Sequence, residues 1–402
     1  MLTPDMLNQI KGSIELLKNE GEAITRRFYQ ILFERNPELK NIFNMSNQRE
    51  GVENGQSRAL ADAIFAYASN IETPEKLMAA VNRIANKHTS LMIKPEHYPL
   101  VGEALLEALC QHLSVGMDHP AIEAWGIAYG ILADIFIKTE EDIYAGNENR
   151  DGGWRGFRPF RIDRIVRESE HVRSFYLRPV DGGEILSYRP GQYIGVKFDI
   201  KGHDRSEIRQ YSLSDGPKVS LEGGYYRITV KEEQGAPAGV VSTYLHRQVK
   251  VGDTLEVSPP VGDFYLNEGG ERPIVLLSGG VGVTPMASML KVALRTRDSA
   301  DITFIHCAKS YREHTMHGNF AERAEQKRFK YFTVYETDDS GDYQGFLSDE
   351  MLDAMGVDFG ADFYFCGPVP FMQHVAGLLR ARGVARDQIH FEVFGPSLDV
   401  AA

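Results

Sequence analysis

The spacing of the apolar residues changes twice along this 402-residue chain, and that limits its fold more than any other feature. Before about residue 150 they recur every three or four positions. Leu60, Ala63, Ile64, Tyr67, Ala68 and Ile71 form one such series, Leu77, Val81, Ile84 and His88 a second, and Ile122, Trp125, Tyr129, Leu132 and Phe136 a third. Each series makes one face of an amphipathic helix. Pro37, Pro74, Pro95 and Pro120 fall near the starts or ends of these helices. The polar, glycine-rich stretch NENRDGGWRG then reads as a linker. After it come short runs, RSFYLRPV, QYIGVKF, YYRITVK and DTLEVSPP, rich in β-branched and aromatic residues and bounded by Gly, Pro or Asp. They predict strands of a small barrel. From about residue 271, PIVLLSGG, DITFIHCA, KYFTVYE and DFYFCG alternate with helical stretches such as MASMLKVAL. That alternation predicts a parallel sheet with helices on both faces. The expected fold class is therefore multidomain: an all-α domain over 1–146, a linker over 147–153, an antiparallel β-barrel over 154–264 and an α/β parallel-sheet domain over 271–402.

The formal net charge of -12 disfavours nucleic acid or an anionic membrane as a partner, since both need a basic footprint. Cys110, Cys307 and Cys366 are far apart and form no CxxC pair, which points to reduced thiols in a cytoplasm. The N-terminal MLTPDMLNQIKGS has no basic n-region followed by an apolar h-region, and no apolar run is expected to reach the roughly 20 residues of a membrane helix. The expectation is a cytoplasmic monomer acting on small molecules.

Three segments carry cofactor chemistry. RPGQY at 189–193 pairs with RQYSLS at 209–214. A flavin dinucleotide carries a pyrophosphate, which wants arginine, and an isoalloxazine ring, which wants an aromatic face and a donor near N5. Arg209, Tyr211 and Ser212, with Gln210 between them, supply these groups. SGGVGVTPM follows a predicted strand and opens a helix, the setting of a phosphate-cradling glycine loop. It is not GxGxxG, because Pro285 stands where the third glycine would be.

These segments resemble the ferredoxin reductase-like superfamily. The resemblance implies that Gly280, Val281, Gly282, Val283, Thr284 and Pro285, with Cys366, Gly367 and Pro368 of a CGP turn, bind NAD(P)H, Cys366 lying near nicotinamide C4. GVVSTYL resembles the segment that holds the FAD pyrophosphate at a helix start, which implicates Gly239, Val241 and Ser242. Tyr188 matches a tyrosine that contacts FAD. FEVFGP resembles a closing strand over the flavin, comprising Val393, Phe394, Gly395 and Pro396. Val393 stands where some relatives have cysteine, so no thiol chemistry is assigned there.

A histidine on an apolar helix face, taken alone, is most often a packed core residue. His88 has a more telling setting. NKHTSLMIKPEHYPLVGE, together with FYQILFERNPELKNIFNMSNQ and AWGIAYGILADIFIKTEEDIY, closely resembles the globin part of flavohaemoglobins over the whole first third. The resemblance implies haem b, with His88 as the axial iron ligand. It also implies that Glu140 accepts the imidazole's other N–H and that Tyr98 orients Glu140, which raises ligand basicity. On the opposite haem face Tyr29 matches the distal tyrosine, whose hydroxyl stabilises charge on bound oxygen. Gln56 lies beside it, Leu60 forms an apolar wall and Phe43 packs on the porphyrin. Lys87 and Glu392 match positions linked to the flavin–haem contact.

By resemblance, then, the chain is a nitric oxide dioxygenase. NAD(P)H reduces FAD, FAD passes single electrons to haem, and oxygen and nitric oxide become nitrate. Spacing alone implies only a haem protein that carries its own reductase. Two alternatives stay open: an oxygen-binding or sensing globin with its own methaemoglobin reductase, and a flavin-dependent hydroperoxide or general reductase. Ser310 and Arg312, after the second strand of the last domain, could meet a 2′-phosphate, but the sequence does not decide between NADH and NADPH. It is also silent on a lipid in the distal pocket. His314 and His317 read as a solvated pair, and FAERAEQKRFK as an exposed helix face.

Overall fold

The computed structural model describes residues 2–48, 55–235, 239–298, 301–326 and 329–395. They divide into two compact units, residues 1–149 with the short 199–208 segment, and 150–198 with 209–395.

The first unit is helical: α1 (Pro4–Gly12), α2 (Ile14–Arg35), α3 (Gln56–Ser69), α4 (Met78–Ser90), α5 (His97–Leu113) and α6 (Pro120–Glu148). Local signals start the helices. Thr3 caps α1, its Oγ1 accepting from Met6 N at 3.3 Å, and Pro120 opens α6 where its missing N–H costs nothing. Gly21 lets α2 lie close to α3, since a Cβ there would sit 3.3 Å from that of Ala61. The core is built from Ile24, Phe28, Leu32, Leu105, Leu109 and Trp125. Helix α6 continues to Glu148, two residues into the stretch expected as linker, and ends at Asn149, whose N–H donates to Ala145 O. By length and composition α6 is also apolar enough to cross a membrane, which the sequence reading did not anticipate. Its Ile122, Ala124, Trp125, Ala128, Ala133 and Phe136 are buried in the helical unit.

The second unit opens with an antiparallel sheet: β1 (Arg158–Arg167), β2 (Val172–Pro179), β3 (Tyr193–Phe198), β4 (Glu207–Ser212), β5 (Tyr226–Lys231) and β6 (Thr254–Val257), with α7 (Pro217–Gly223) and α8 (Val240–Arg247) between strands. The order is β4-β3-β6-β1-β2-β5. A bridge between Leu213 and Ile228 joins the two edges and closes the barrel.

A parallel sheet follows, built from β7 (Ile274–Gly279), β8 (Ile302–Ala308), β9 (Lys330–Tyr335), β10 (Tyr343–Gln344), β11 (Asp362–Cys366) and β12 (Ile389–Glu392). Its helices are α9 (Val283–Thr296), α10 (His317–Glu325), α11 (Asp349–Ala354) and α12 (Val369–Ala381). Successive β7 residues Ile274, Val275, Leu276 and Leu277 are all buried, as a strand covered on both faces requires. The order β10-β9-β8-β7-β11-β12 reverses between β7 and β11. Ligands of open parallel sheets bind beyond the strand ends at such a reversal.

The sheet corrects one expectation. FEVFGP is not a strand through to its end. Pairing with β11 stops at Cys366 and Glu392, where β11 turns into CGP and offers no further ladder. Val393 is buried past the strand end, Phe394 is exposed, and Gly395 has φ of +152°. Pro396 lies outside the described residues.

Candidate functional site

A cavity of about 290 Å³ lies inside the helical unit, lined almost wholly by apolar side chains. The three helical series meet there: Leu60, Ala63, Ile64 and Tyr67 of α3, Leu77, Val81, Ile84 and His88 from the turn before α4 and from α4 itself, and Trp125, Tyr129, Leu132 and Phe136 of α6 all line it. His88 Nδ1 lies 2.7 Å from Glu140 Oε1 and 3.2 Å from the Tyr98 hydroxyl. Tyr98 donates to the same Glu140 oxygen at 2.5 Å. Burial, then the Glu140 carboxylate, push the Tyr98 hydroxyl well above its usual pKa, so it stays a donor. With Nδ1 engaged, Nε2 is the ring nitrogen left for a ligand.

Tyr29, Phe43, Gln56 and Leu60 line the same cavity. The Tyr29 ring stacks on Phe33 at 5.8 Å and meets Phe43 edge-on at 5.9 Å, which fixes its plane. An apolar slot with one imidazole nitrogen backed by a carboxylate fits a haem. His97 also lines the cavity and was not singled out in the sequence, where it does not differ from an ordinary helix residue.

In the barrel, Arg209, Gln210, Tyr211 and Ser212 lie on the edge strand β4. The Tyr211 ring is held edge-on by Phe198 at 6.5 Å. RPGQY is a tight turn, in which Gln192 Oε1 accepts from Arg189 N at 2.8 Å and Gly191 has φ of +114°. Gly239 stands before the first turn of α8 with no side-chain cap, and Val241 and Ser242 lie in that turn. A helix start with no side-chain cap, where the amides of Val240, Val241 and Ser242 lie in the first turn, fits a dinucleotide pyrophosphate. Tyr188 is buried, its hydroxyl donating to Asp215 O at 2.8 Å and lying 2.9 Å from Ser220 Oγ.

At the reversal point, Gly279 ends β7, a short turn covers Gly280–Gly282, and α9 opens with Val283, Thr284 and Pro285. The glycines answer two needs. Gly280 has φ of +52° with open space where a Cβ would be, and a Cβ on Gly282 would lie 2.6 Å from Gly367 N. The GGVG and CGP turns therefore pack backbone to backbone. Gly279, Gly280, Val281 and Pro368 line a cleft of about 590 Å³ with Cys307, Lys309, Thr315, Glu336, Phe346 and Phe371. An open glycine cradle at a strand-to-helix turn fits a nicotinamide dinucleotide. Cys366 is fully buried in the α9-side core, and burial lifts its thiol pKa well above normal. The sequence had no signal for Cys307, Thr315 or Phe346, which are far apart in the chain and meet only at strand ends.

The domain models agree with this geometry. A globin model matches residues 26–136, an oxidoreductase FAD-binding domain 159–265, and an oxidoreductase NAD-binding domain 276–377. A flavohaemoprotein of Halalkalibacterium halodurans is 45% identical, covering 98% of this chain and 97% of its own. The chain belongs to the flavohaemoprotein family. A second flavohaemoprotein, from Oceanobacillus iheyensis, is 45% identical over 98% of this chain and 96% of its own. The crystal structure of a Malassezia yamatoensis flavohaemoglobin with bound FAD and haem superposes with a TM-score of 0.85, at 26% identity, covering 98% of this chain and 100% of that one. The FAD/NAD-binding domain of a Vibrio cholerae nitric oxide dioxygenase is 40% identical and covers 61% of this chain and 100% of its own, with a TM-score of 0.55.

One histidine reading changes. His314 is buried, not solvated. Its Nδ1 meets the Tyr335 hydroxyl at 2.6 Å and its Nε2 the Tyr331 hydroxyl at 2.9 Å. Its ring lies 4.1 Å from that of His306 and 4.7 Å from that of His317. The turn before α10 folds it under the sheet, which helical spacing could not foretell.

Proposed function

We propose that this flavohaemoprotein is a nitric oxide dioxygenase that turns two nitric oxide and two oxygen molecules into two nitrates for each NAD(P)H oxidised. The observation that carries the reading is a Glu140-backed His88 lining the same apolar cavity as Tyr29, in a chain that also holds flavin and nicotinamide domains. When bound, FAD splits a hydride into single electrons, and haem iron uses them where oxygen and nitric oxide combine.

The protein's own part is positional and electrostatic. His88 Nε2 would hold the iron, and Glu140, accepting the Nδ1–H, would keep that nitrogen electron-rich. Tyr29 would donate its hydroxyl toward negative charge on a ligand bound in the same cavity, which Gln56, Leu60 and Phe43 also line, the two apolar side chains excluding water. Arg209, Tyr211 and Ser212 orient the flavin, and the first-turn amides of Val240 to Ser242 take its pyrophosphate. Gly280 to Pro285 and Pro368 hold the nicotinamide dinucleotide. Lys87 and Glu392 tune passage of electrons from flavin to haem. A carboxylate-backed histidine strengthens electron push, which a reversible oxygen carrier does not need, and this favours the dioxygenase over the carrier reading. Three free thiols suit a cytoplasmic location.

The test is nitric oxide consumption with NADH in air, with nitrate as the measured product. His88→Ala should abolish it while FAD content and NADH-driven flavin reduction remain. Nitrate formation at the normal rate by the haem-free variant would overturn the reading.

A further inference from the structure

Both flavin-motif turns of the barrel abut the helix that opens with the nicotinamide glycine loop. A Cβ on Gly191 of RPGQY would lie 2.6 Å from the methyl carbon of Met289 on α9. A Cβ on Gly216, just past RQYSLSD, would lie 3.1 Å from the Cβ of Lys291 on the same helix. At that second contact Lys291 Nζ donates to Asp215 Oδ1, an ion pair between residues 76 apart in sequence.

Asp215 is 2% exposed, and the barrel alone nearly satisfies it. Gly216 N donates to Oδ1 at 2.8 Å and the Tyr225 hydroxyl to Oδ2 at 3.0 Å. Arg227, also buried, lies 3.9 Å from Oδ2 and donates to Ser214 Oγ at 3.1 Å. Burial opposes the charge on Asp215, yet Arg227 and Lys291 hold its carboxyl below the usual range. Lys291 reaches Asp215 from the nicotinamide domain, and Met316 of the same domain meets Arg227 at 4.0 Å through its sulfur. An apolar contact would have packed two domains at less desolvation cost, but a buried ion pair accepts one geometry. Lys291 lies eight residues past Val283, about 12 Å along the helix at 1.5 Å per residue. Fixing Lys291 therefore fixes the axial position of the glycine loop relative to the strand bearing Arg209, Tyr211 and Ser212.

We propose that Lys291 is a positioning residue for hydride transfer: anchored on Asp215, it sets the register of α9, and with it the nicotinamide loop, against the flavin-binding strand. The inference rests on the proposed passage of hydride from NAD(P)H to FAD. Reacting atoms must approach to about 3–3.5 Å, so a small slip of the helix costs rate more than binding.

The experiment compares full-length holoprotein with Lys291→Met and Lys291→Arg variants. Lys291→Met removes the charge at similar volume and leaves Asp215 paired with Arg227. Anaerobic stopped-flow absorbance gives the limiting rate of flavin reduction and the NADH concentration at half-saturation. Lys291→Met should lower the limiting rate about tenfold to hundredfold with half-saturation within about twofold of normal, the pattern of misplacement rather than lost binding. FAD content should be unchanged, and Lys291→Arg should restore most of the rate. Amide hydrogen exchange, read without cofactors, should quicken at 213–216 and along α9 in Lys291→Met but not in β1 and β2. A normal limiting rate, a change in half-saturation alone, or FAD loss matching the rate loss would each overturn the proposal. If NADH failed to bleach the flavin band of the unmodified protein, the proposed function itself would fall, a result separate from any variant.

Discussion

Glu140 Oε1 lies 2.7 Å from His88 Nδ1, although the two residues are 52 apart in the chain. Glu140 is 2% exposed and takes a second hydrogen bond from Tyr98. A buried carboxylate with two donors has one place to sit, and it fixes the ring of His88 as well as its basicity. Glu140→Gln should keep haem but raise its reduction potential and cut nitric oxide turnover about tenfold to hundredfold, the usual range for losing such a partner. Redox titration of the haem band checks it. An unchanged potential would show that Glu140 only packs.

Tyr29→Phe removes the hydroxyl while keeping a ring held by Phe33 and Phe43. One hydrogen bond to a charged acceptor contributes roughly 1.5–3 kcal/mol. Oxygen dissociation should therefore quicken about tenfold to hundredfold at ~1.4 kcal/mol per decade. Flash photolysis with oxygen rebinding measures this, and a normal off-rate would reduce Tyr29 to a core residue.

Gly282→Ala should disable the nicotinamide site alone. Its Cβ would meet backbone of the CGP turn, at 2.6 Å from Gly367 N, and backbone cannot rotate away as a side chain can. The strain is about 1–3 kcal/mol and falls on the two turns that shape the cleft. Flavin reduction by NADH should slow by at least about tenfold. The carbon monoxide spectrum after dithionite should stay normal. Normal NADH kinetics would mean the turns need not touch.

Lys87 precedes His88 on α4, and adjacent helix residues point about 100° apart. Glu392 ends β12, is 7% exposed, and its charge helps burial raise the pKa values of Tyr193 and Cys366. Its burial makes charge reversal disruptive there, so Glu392→Gln and Lys87→Glu are the informative variants. Each should slow haem reduction after NADH while flavin reduction and oxygen affinity hold. Stopped-flow traces at the haem and flavin bands separate the steps, and normal haem reduction in both would remove their proposed role.

His306 and His314 should make the second unit acid-sensitive. Burial first, then the charge of His317, lower His306 from 6.5 to about 3, and burial with the neighbouring histidines lowers His314 further. A histidine depressed in the folded state gives stability that is whole above its unfolded pKa. That stability drains as pH falls toward the folded value. The loss therefore runs from about pH 6.5 downward, at up to ~1.4 kcal/mol per pH unit for each group. Urea unfolding followed by the fluorescence of released flavin should show a steeper loss between pH 6.5 and 4.5 than in His306→Gln. Equal slopes would contradict the assignment.

The sequence by itself determined the three-part order and the character of each part. Period, turn residues and the SGGVGVTPM loop are local properties, and local backbone preference is enough to express them. The series Leu77, Val81, Ile84 and His88 already named one wall of the cavity, because a helix face is fixed by spacing alone. Tertiary structure decided what depends on distant neighbours. His314, legible only as one of two nearby histidines, is buried because β9 brings Tyr331 and Tyr335 over it. FEVFGP stops being a strand at Glu392 because its partner β11 turns away. The ion pair of Asp215 and Lys291 joins two domains whose local patterns make no reference to each other. Burial and pairing are sums over neighbours in space, and a linear pattern specifies those neighbours only after the chain has folded.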